Sequence, residues 1–228
     1  MRLSALVLLL SVVIMPSLVF GQLNQTDDQG RKQGKWEKRY SNGNIKYKGT
    51  FKDDKPVGEF IYYDYRLNLV AKVNHLGNDS ASAQIFHKNK ALEGEGMYYK
   101  QEKTGVWKFY DNTGTLSAVE TFKSGKKHGK SQTYLLNGQV SRETEYVEGF
   151  ETGLRIDYFQ DGTKRFEGRV IDGVFDGEVT FYHPNGKLKM VGNYKNAVPD
   201  GQWIYYDEKG LPFRHEIYEK GELKEASE

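Results

Sequence analysis

Side chains able to do acid–base or metal chemistry are present, but they are scattered. The histidines His75, His87, His128, His183 and His215 fall in different stretches, without the close His/Asp/Glu spacing of a metal site. Asp64, Asp111 and Asp207 recur at one position of a repeat, as a solvated row does. His87, Leu135, Phe159 and His183 stand at that position elsewhere, which disfavours a calcium ladder. Gly94-Glu95-Gly96 has the opening of a dinucleotide-binding loop, yet the third glycine is missing and no helix follows. Cysteine is absent, which removes thiol nucleophiles, thiolate metal sites and disulfides, and there is no G-x-S-x-G elbow. These residues predict no enzyme, no metal and no cofactor. What remains suited to a site is aromatic: Trp36, Trp107 and Trp203, with Tyr63, Tyr110, Tyr134, Tyr158, Tyr182 and Tyr206. All of them are of the kind that anchors a partner.

The elements that position these rings repeat. Gly34, Gly58, Ala81, Gly105, Gly129, Gly153, Gly177 and Gly201 begin eight units spaced by 24 residues, with one spacing of 23. Nine positions after the first glycine, six units carry a second one, as in Asn42-Gly43, Asn137-Gly138, Asp161-Gly162 and Asn185-Gly186. These dipeptides read as two-residue hairpin turns. Between the glycines run short strand-like segments such as Trp36–Tyr40 and Trp107–Tyr110. A second strand follows the turn, with Ile45, Leu116 or Leu188 early and Phe51, Phe122 or Tyr194 late. The sequence therefore predicts an all-β, elongated antiparallel meander of tandem β-hairpins forming one twisted sheet.

Symmetric pairing about each turn sets Trp36 opposite Gly49, Trp107 opposite Glu120 and Trp203 opposite Glu216 on one side of the sheet, together with Ile45, Leu116 and Leu188. The tyrosine row falls on the other side, among charged residues. Two departures stand out. Leu67 replaces the turn glycine of the second unit and Ala81 opens the third, so Asn74–Ser82 is expected to form an irregular bulge or loop; a cleft for any enzyme would have to come from these two units. The sixth unit puts Arg155 and Asp157 where others hold aromatic or aliphatic side chains.

Met1-Arg2 followed by the apolar run Leu3–Phe20 reads as a signal peptide over residues 1–21, cut ahead of Gln22, with an uncleaved membrane anchor as the alternative. Residues 22–33 read as a flexible leader, 34–224 as the eight hairpins and 225–228 as a tail, within a charged end from Glu219 expected to fray. An exported chain without cysteine suits a bacterial periplasm, envelope or secreted location. With 33 Lys and Arg against 31 Asp and Glu, the net charge is +2, which argues against a nucleic-acid partner.

The pattern G-x-W-x-x-Y-x-x-x-G-x-L, followed by an aromatic and a link such as Gly125-Lys126-Lys127-His128-Gly129, resembles the MORN repeat. It is most similar to the longer bacterial variant found in proteins labelled YwqK-type antitoxins. The resemblance covers about Gly34–Gly221. It implies a hairpin array used for protein or lipid binding, and an antitoxin acting by binding. A sheet apolar on one side offers a face to a partner or to a second copy. The expectation is an exported non-enzymatic scaffold that holds a protein partner, or itself, at the cell envelope. The alternatives are an envelope-glycan binder using stacked aromatics, a lipid-headgroup binder, and an antitoxin or immunity-type protein.

Overall fold

The computed structural model describes residues 22–228, so the expected signal segment 1–21 lies outside the described residues. Period-two patterning and frequent β-branched and aromatic residues give strands throughout. In chain order they are β1 (Gln25–Thr26), β2 (Lys32–Arg39), β3 (Ile45–Lys52), β4 (Lys55–Tyr63), β5 (Leu69–Gly77), β6 (Ser80–Phe86), β7 (Leu92–Tyr99), β8 (Glu102–Tyr110), β9 (Leu116–Lys123) and β10 (Lys126–Tyr134). Then follow β11 (Val140–Val147), β12 (Phe150–Glu151), β13 (Gly153–Tyr158), β14 (Lys164–Ile171), β15 (Val174–Tyr182), β16 (Leu188–Lys195), β17 (Val198–Pro199), β18 (Gly201–Tyr206), β19 (Pro212–Glu219) and β20 (Glu222–Ser227). They form one 20-stranded antiparallel meander, not closed into a barrel. β12 and β13 continue one line against β11, broken at Thr152, and β17 and β18 do the same against β16.

The leader contributes β1, where Gln25 opposes Gln33. At the other end the sheet continues through β20, with Ser227 opposite His215, where the sequence suggested fraying. β20 is charged and exposed along its length, which suits an edge that must not recruit further strands.

The turn inside each unit differs from the two-residue expectation. In the first unit Tyr40 N–H donates to the Asn44 carbonyl at 2.8 Å and Gly43 N–H to the Tyr40 carbonyl at 3.0 Å, with Gly43 at φ 85°. This is a three-residue loop whose glycine takes the left-handed position. A bulge then restores the expected register: Arg39 opposes Ile45, but Lys38 opposes Tyr47 and Trp36 opposes Gly49. The shift leaves Leu116 opposite Tyr110 and Leu188 opposite Tyr182, so these aliphatics do not join the tryptophan rows as expected. Leu67 occupies the glycine position at φ 65° and the loop persists, because Asp64 Oδ1 accepts the amides of Arg66 and Asn68, each at 2.8 Å.

Consecutive units are joined by two-residue turns with both residues left-handed, such as Asp53-Asp54 (φ 51° and 64°) and Asn196-Ala197 (φ 50° and 68°). The opening glycine of the second, fourth, fifth and seventh units then forms a second kind of bulge. Gly58 sits at φ 65° with Glu59 and Phe60 between the pairs Thr50–Val57 and Lys48–Ile61, opposite Gly49 alone. Ala81 cannot adopt that conformation cheaply, and there the offset moves to Leu76, between His75–Ala81 and Gly77–Ser80. Asn74–Ser82 is therefore a paired hairpin rather than the irregular loop expected, and the shorter spacing of that unit has a backbone cause.

Large and small side chains interlock along the middle of the tryptophan face. Phe60 covers Gly49, Trp107 covers Gly96, Val179 nestles against Gly168, and Trp203 covers Gly192. Two apolar cores result. One gathers Ala83, Trp107 and Phe122 with Val73, Ile85, Tyr98 and Phe109; the other gathers Phe166, Val179 and Trp203 with Phe181, Tyr194, Tyr205 and Tyr218. They are equivalent, since Trp203, Tyr194, Tyr205 and Tyr218 stand four units on from Trp107, Tyr98, Phe109 and Phe122. Between the cores the same line carries Glu120, Ser131, Thr144 and Arg155.

Candidate functional site

The tryptophans proposed as anchors divide by burial. Trp107 is 0% exposed and Trp203 3%, so both are core residues out of a partner's reach. Trp107 is packed by Tyr98, Phe109 and Phe122 at centroid distances of 5.1, 6.0 and 6.4 Å, and Lys103 Nζ lies 4.5 Å above it. Burial lowers the Lys103 pKa, against the pull of Glu120. Trp36 is half-buried, with its Nε1 donating to the Gln33 carbonyl at 3.1 Å and Lys32 over its ring at 5.1 Å.

The tyrosine row is half-buried on the opposite face. Tyr110 donates its hydroxyl to Glu95 at 2.9 Å, Tyr134 to Gln132 at 2.9 Å and Tyr182 to Glu167. Burial, reinforced by Glu167, pushes Tyr182 up to about 12, and burial raises Tyr110 and Tyr158 as well. Tyr110 and Tyr182 are thereby held as neutral donors to their carboxylates, and every ring of the row is only half-buried. Tyr63 and Tyr206 contribute through their backbone, accepting from Tyr40 Oη at 2.9 Å and His183 Nε2 at 2.9 Å.

That last contact belongs to a ladder not anticipated from the sequence. His87 and His183 hold the same unit position, and His87 Nε2 reaches the Tyr110 carbonyl at 3.0 Å as His183 reaches that of Tyr206. Loop asparagines add rungs: Asn42 to the Tyr65 carbonyl at 3.1 Å, Asn89 to that of Asn112 at 2.6 Å and Asn185 to that of Glu208 at 2.8 Å. Counting from the unit glycine already places the two histidines at the position of Asp64, Asp111 and Asp207; the carbonyl that each one reaches is what the sequence does not give. They clip neighbouring loops together.

The tyrosine-side face holds two adjoining depressions. A row of paired residues crosses the whole sheet there, including Glu37, Lys48, Ile61, Lys72, Gln84, Glu95 and Lys108 in succession. Over β4–β8 this face sinks into a groove of about 510 Å³ lined by Glu59, Lys72, Asn74, Gln84, Glu95 and Lys108, with Ala83 and Gly96 beneath. A second depression of about 380 Å³, lined by Lys35, Glu37, Lys48 and Ile61, shares Glu59 with it. The third unit contributes the small residues Ser82 and Ala83 to the lining, where the fourth unit has Val106 and Trp107. Charges of both signs and amide groups line it, an arrangement that hydrogen-bonds an extended polar ligand. Among the described residues no three His, Asp or Glu side chains converge as metal ligands would.

In the sixth unit Asp157 is 4% exposed and receives Arg142, Arg155 and Arg165 on its two oxygens. Burial alone would raise its pKa, but the hydrogen bonds from Arg142 and Arg155 outweigh it and hold the carboxyl at about 2. Glu216 plays a similar part in the eighth unit, accepting from Tyr205, Tyr218 and Arg214 beside Trp203.

Four segments, 32–53, 103–124, 127–148 and 175–196, match the family described as MORN repeat variant. No curated protein matches the chain. Among solved structures, a crystal structure of TcdB2-TccC3-Cdc42 is 11% identical with a TM-score of 0.25, aligning over 87% of this chain and 13% of that one. A porin-like protein from Bacteroides uniformis ATCC 8492 is 10% identical with a TM-score of 0.20, over 83% of this chain and 91% of that one. This chain thus spans about 13% of the length of the TcdB2-TccC3 chains it resembles, and neither similarity bears on function.

Proposed function

We propose that this protein is an exported, non-enzymatic repeat scaffold that holds a protein partner, or a second copy of itself, at the bacterial cell envelope, with the tyrosine-side face as its contact surface. The observation that carries this reading is the groove over β4–β8, which shares Glu59 with its neighbour and is met by the Tyr110 hydroxyl at Glu95. The other face uses its tryptophans to hold the sheet together. Tandem hairpins presenting one long face suit recognition of an extended partner better than turnover of a small substrate. Export rests on Met1-Arg2 and the apolar run Leu3–Phe20.

Photo-crosslinking in cells tests it. A crosslinking residue at Lys72, in the groove, should give a discrete protein adduct or a crosslinked dimer in envelope fractions, whereas one at Lys130, away from the groove, should not. An exported protein with no groove adduct would overturn the protein-binding reading. Retention of the same protein on an envelope-glycan column would then favour the glycan alternative, for which the polar lining of the groove is also suited.

A further inference from the structure

A buried carboxylate is satisfied by one guanidinium fork, which donates two parallel hydrogen bonds. Asp157 has that fork from Arg142, with Nε to Oδ1 at 2.7 Å and Nη2 to Oδ2 at 3.2 Å. Arg155 supplies a second fork at 3.2 and 3.1 Å, and Arg165 Nη2 adds a fifth contact at 3.2 Å. Three positive charges share one buried carboxylate; with Glu151, whose carboxylate also acts on Arg142, the cluster keeps a surplus of one. Assembling them costs Coulomb repulsion that Asp157 alone does not offset. The fold does not need this for packing, because the matching positions of other units hold Phe109, Phe181 and Tyr205 in place of Asp157, and Tyr47 and Phe166 in place of Arg142.

The surplus is also presented outward. Arg165 is 53% exposed and Arg142 40%, while Arg155, at 21%, is held beneath them against the rings of Phe166 and Phe175 at 5.9 and 5.7 Å. Nη1 of Arg142, and Nε and Nη1 of Arg165, have no role in holding Asp157 and remain free to donate. The cluster lies between the two aromatic cores, on the face opposite the groove.

We infer that Arg142, Arg155 and Arg165 form a docking point for a side-chain carboxylate on an acidic polypeptide segment of the protein partner. This rests on the protein-binding reading above and adds a second contact to it on the other face. A carboxylate fits because Arg142, which holds Asp157 by its Nε/Nη2 edge, still presents Nη1 and the second Nη2 hydrogen as parallel donors, and Arg165 adds N–H groups at the same carboxylate. A local surplus of one charge, left after Asp157 and Glu151, suits a single carboxylate, whereas an anionic membrane needs a broad basic face.

The test titrates a fluorescein-labelled hexaglutamate peptide into protein purified from expression of the full chain, at low and high salt, followed by anisotropy. Wild type should bind, with affinity falling as salt rises. Arg165→Gln should weaken binding about three- to five-fold, as expected for an exposed ion pair, and Arg142→Gln/Arg165→Gln should abolish it. Asp157→Asn should tighten binding, because the internal carboxylate no longer competes; a cluster with only a structural role would not respond in this direction. Arg165 is exposed, so its variant remains informative even where Asp157→Asn fails to fold. No binding to wild type at low salt would overturn the proposal, as would equal binding to the double variant. Capture of phosphatidylcholine–phosphatidylserine vesicles without peptide binding would also overturn it, in favour of a membrane ligand. A groove adduct at Lys72 without peptide binding sinks only this site; peptide binding without that adduct sinks only the groove assignment.

Discussion

Trp107 faces Gly96 so closely that a Cβ built at position 96 would lie 2.4 Å from the indole ring. Gly192 stands in the same relation to Trp203, at 2.1 Å. The glycine makes room for the ring, and the ring then closes a core with no second layer above it. Gly96→Ala must displace the indole or the backbone, and it should destabilise the protein by about 1–3 kcal/mol. Urea unfolding measures this directly. A change below about 0.5 kcal/mol, the size of an ordinary surface substitution, would contradict the interlocking.

The two buried tryptophans should respond differently to loss of their N–H. Trp107 Nε1 donates to the Met97 carbonyl at 3.0 Å, whereas Trp203 Nε1 is buried without a partner. In the eighth unit the matching carbonyl, that of Asn193, is taken by the Asp200 amide at 2.9 Å. Trp107→Phe should therefore cost about 1 kcal/mol more than Trp203→Phe, the difference being one hydrogen bond and one orphaned acceptor. Parallel denaturation of the two variants checks the order, and equal losses would count against it.

Ala197 sits at φ 68° in a turn whose counterparts in other units are Gly125, Gly149, Gly173 and Gly221. An L-residue with a Cβ pays roughly 1 kcal/mol or more there, while the unfolded chain gains only part of that back in entropy on replacement by glycine. Ala197→Gly should raise the melting temperature. Ala91→Gly, outside any left-handed position, should lower it or leave it unchanged.

Asp157 gives the acid limb of stability a defined component. Its folded-state carboxyl is held at about 2 against an ordinary 3.8, so the contribution is fully present above about pH 4 and is lost as pH falls towards 2. The size is on the order of 2 kcal/mol. Comparing stability at pH 6 and pH 3, wild type should lose more than Asp157→Asn. Identical pH profiles would show that the carboxyl is not depressed.

The hairpin array was legible in the sequence because its causes are local. Turn glycines, alternation and a fixed spacing act within a few residues, and the pairings Trp36–Gly49, Trp107–Glu120 and Trp203–Glu216 follow from counting outward from each turn. The four matched MORN repeat variant segments agree with that periodicity. The two bulges were not legible, because an extra residue changes register without changing composition. Only the tertiary structure decided which aromatics are core. Burial of Trp107 depends on Gly96 beneath it, Lys103 above it and Phe122 beside it, contributed by three different strands. The same holds for Asp157, Arg142 and Arg165, which arrive from three strands to share one carboxylate. Repetition fixes each hairpin from within, but packing between neighbouring hairpins chooses the face that closes and the face left open.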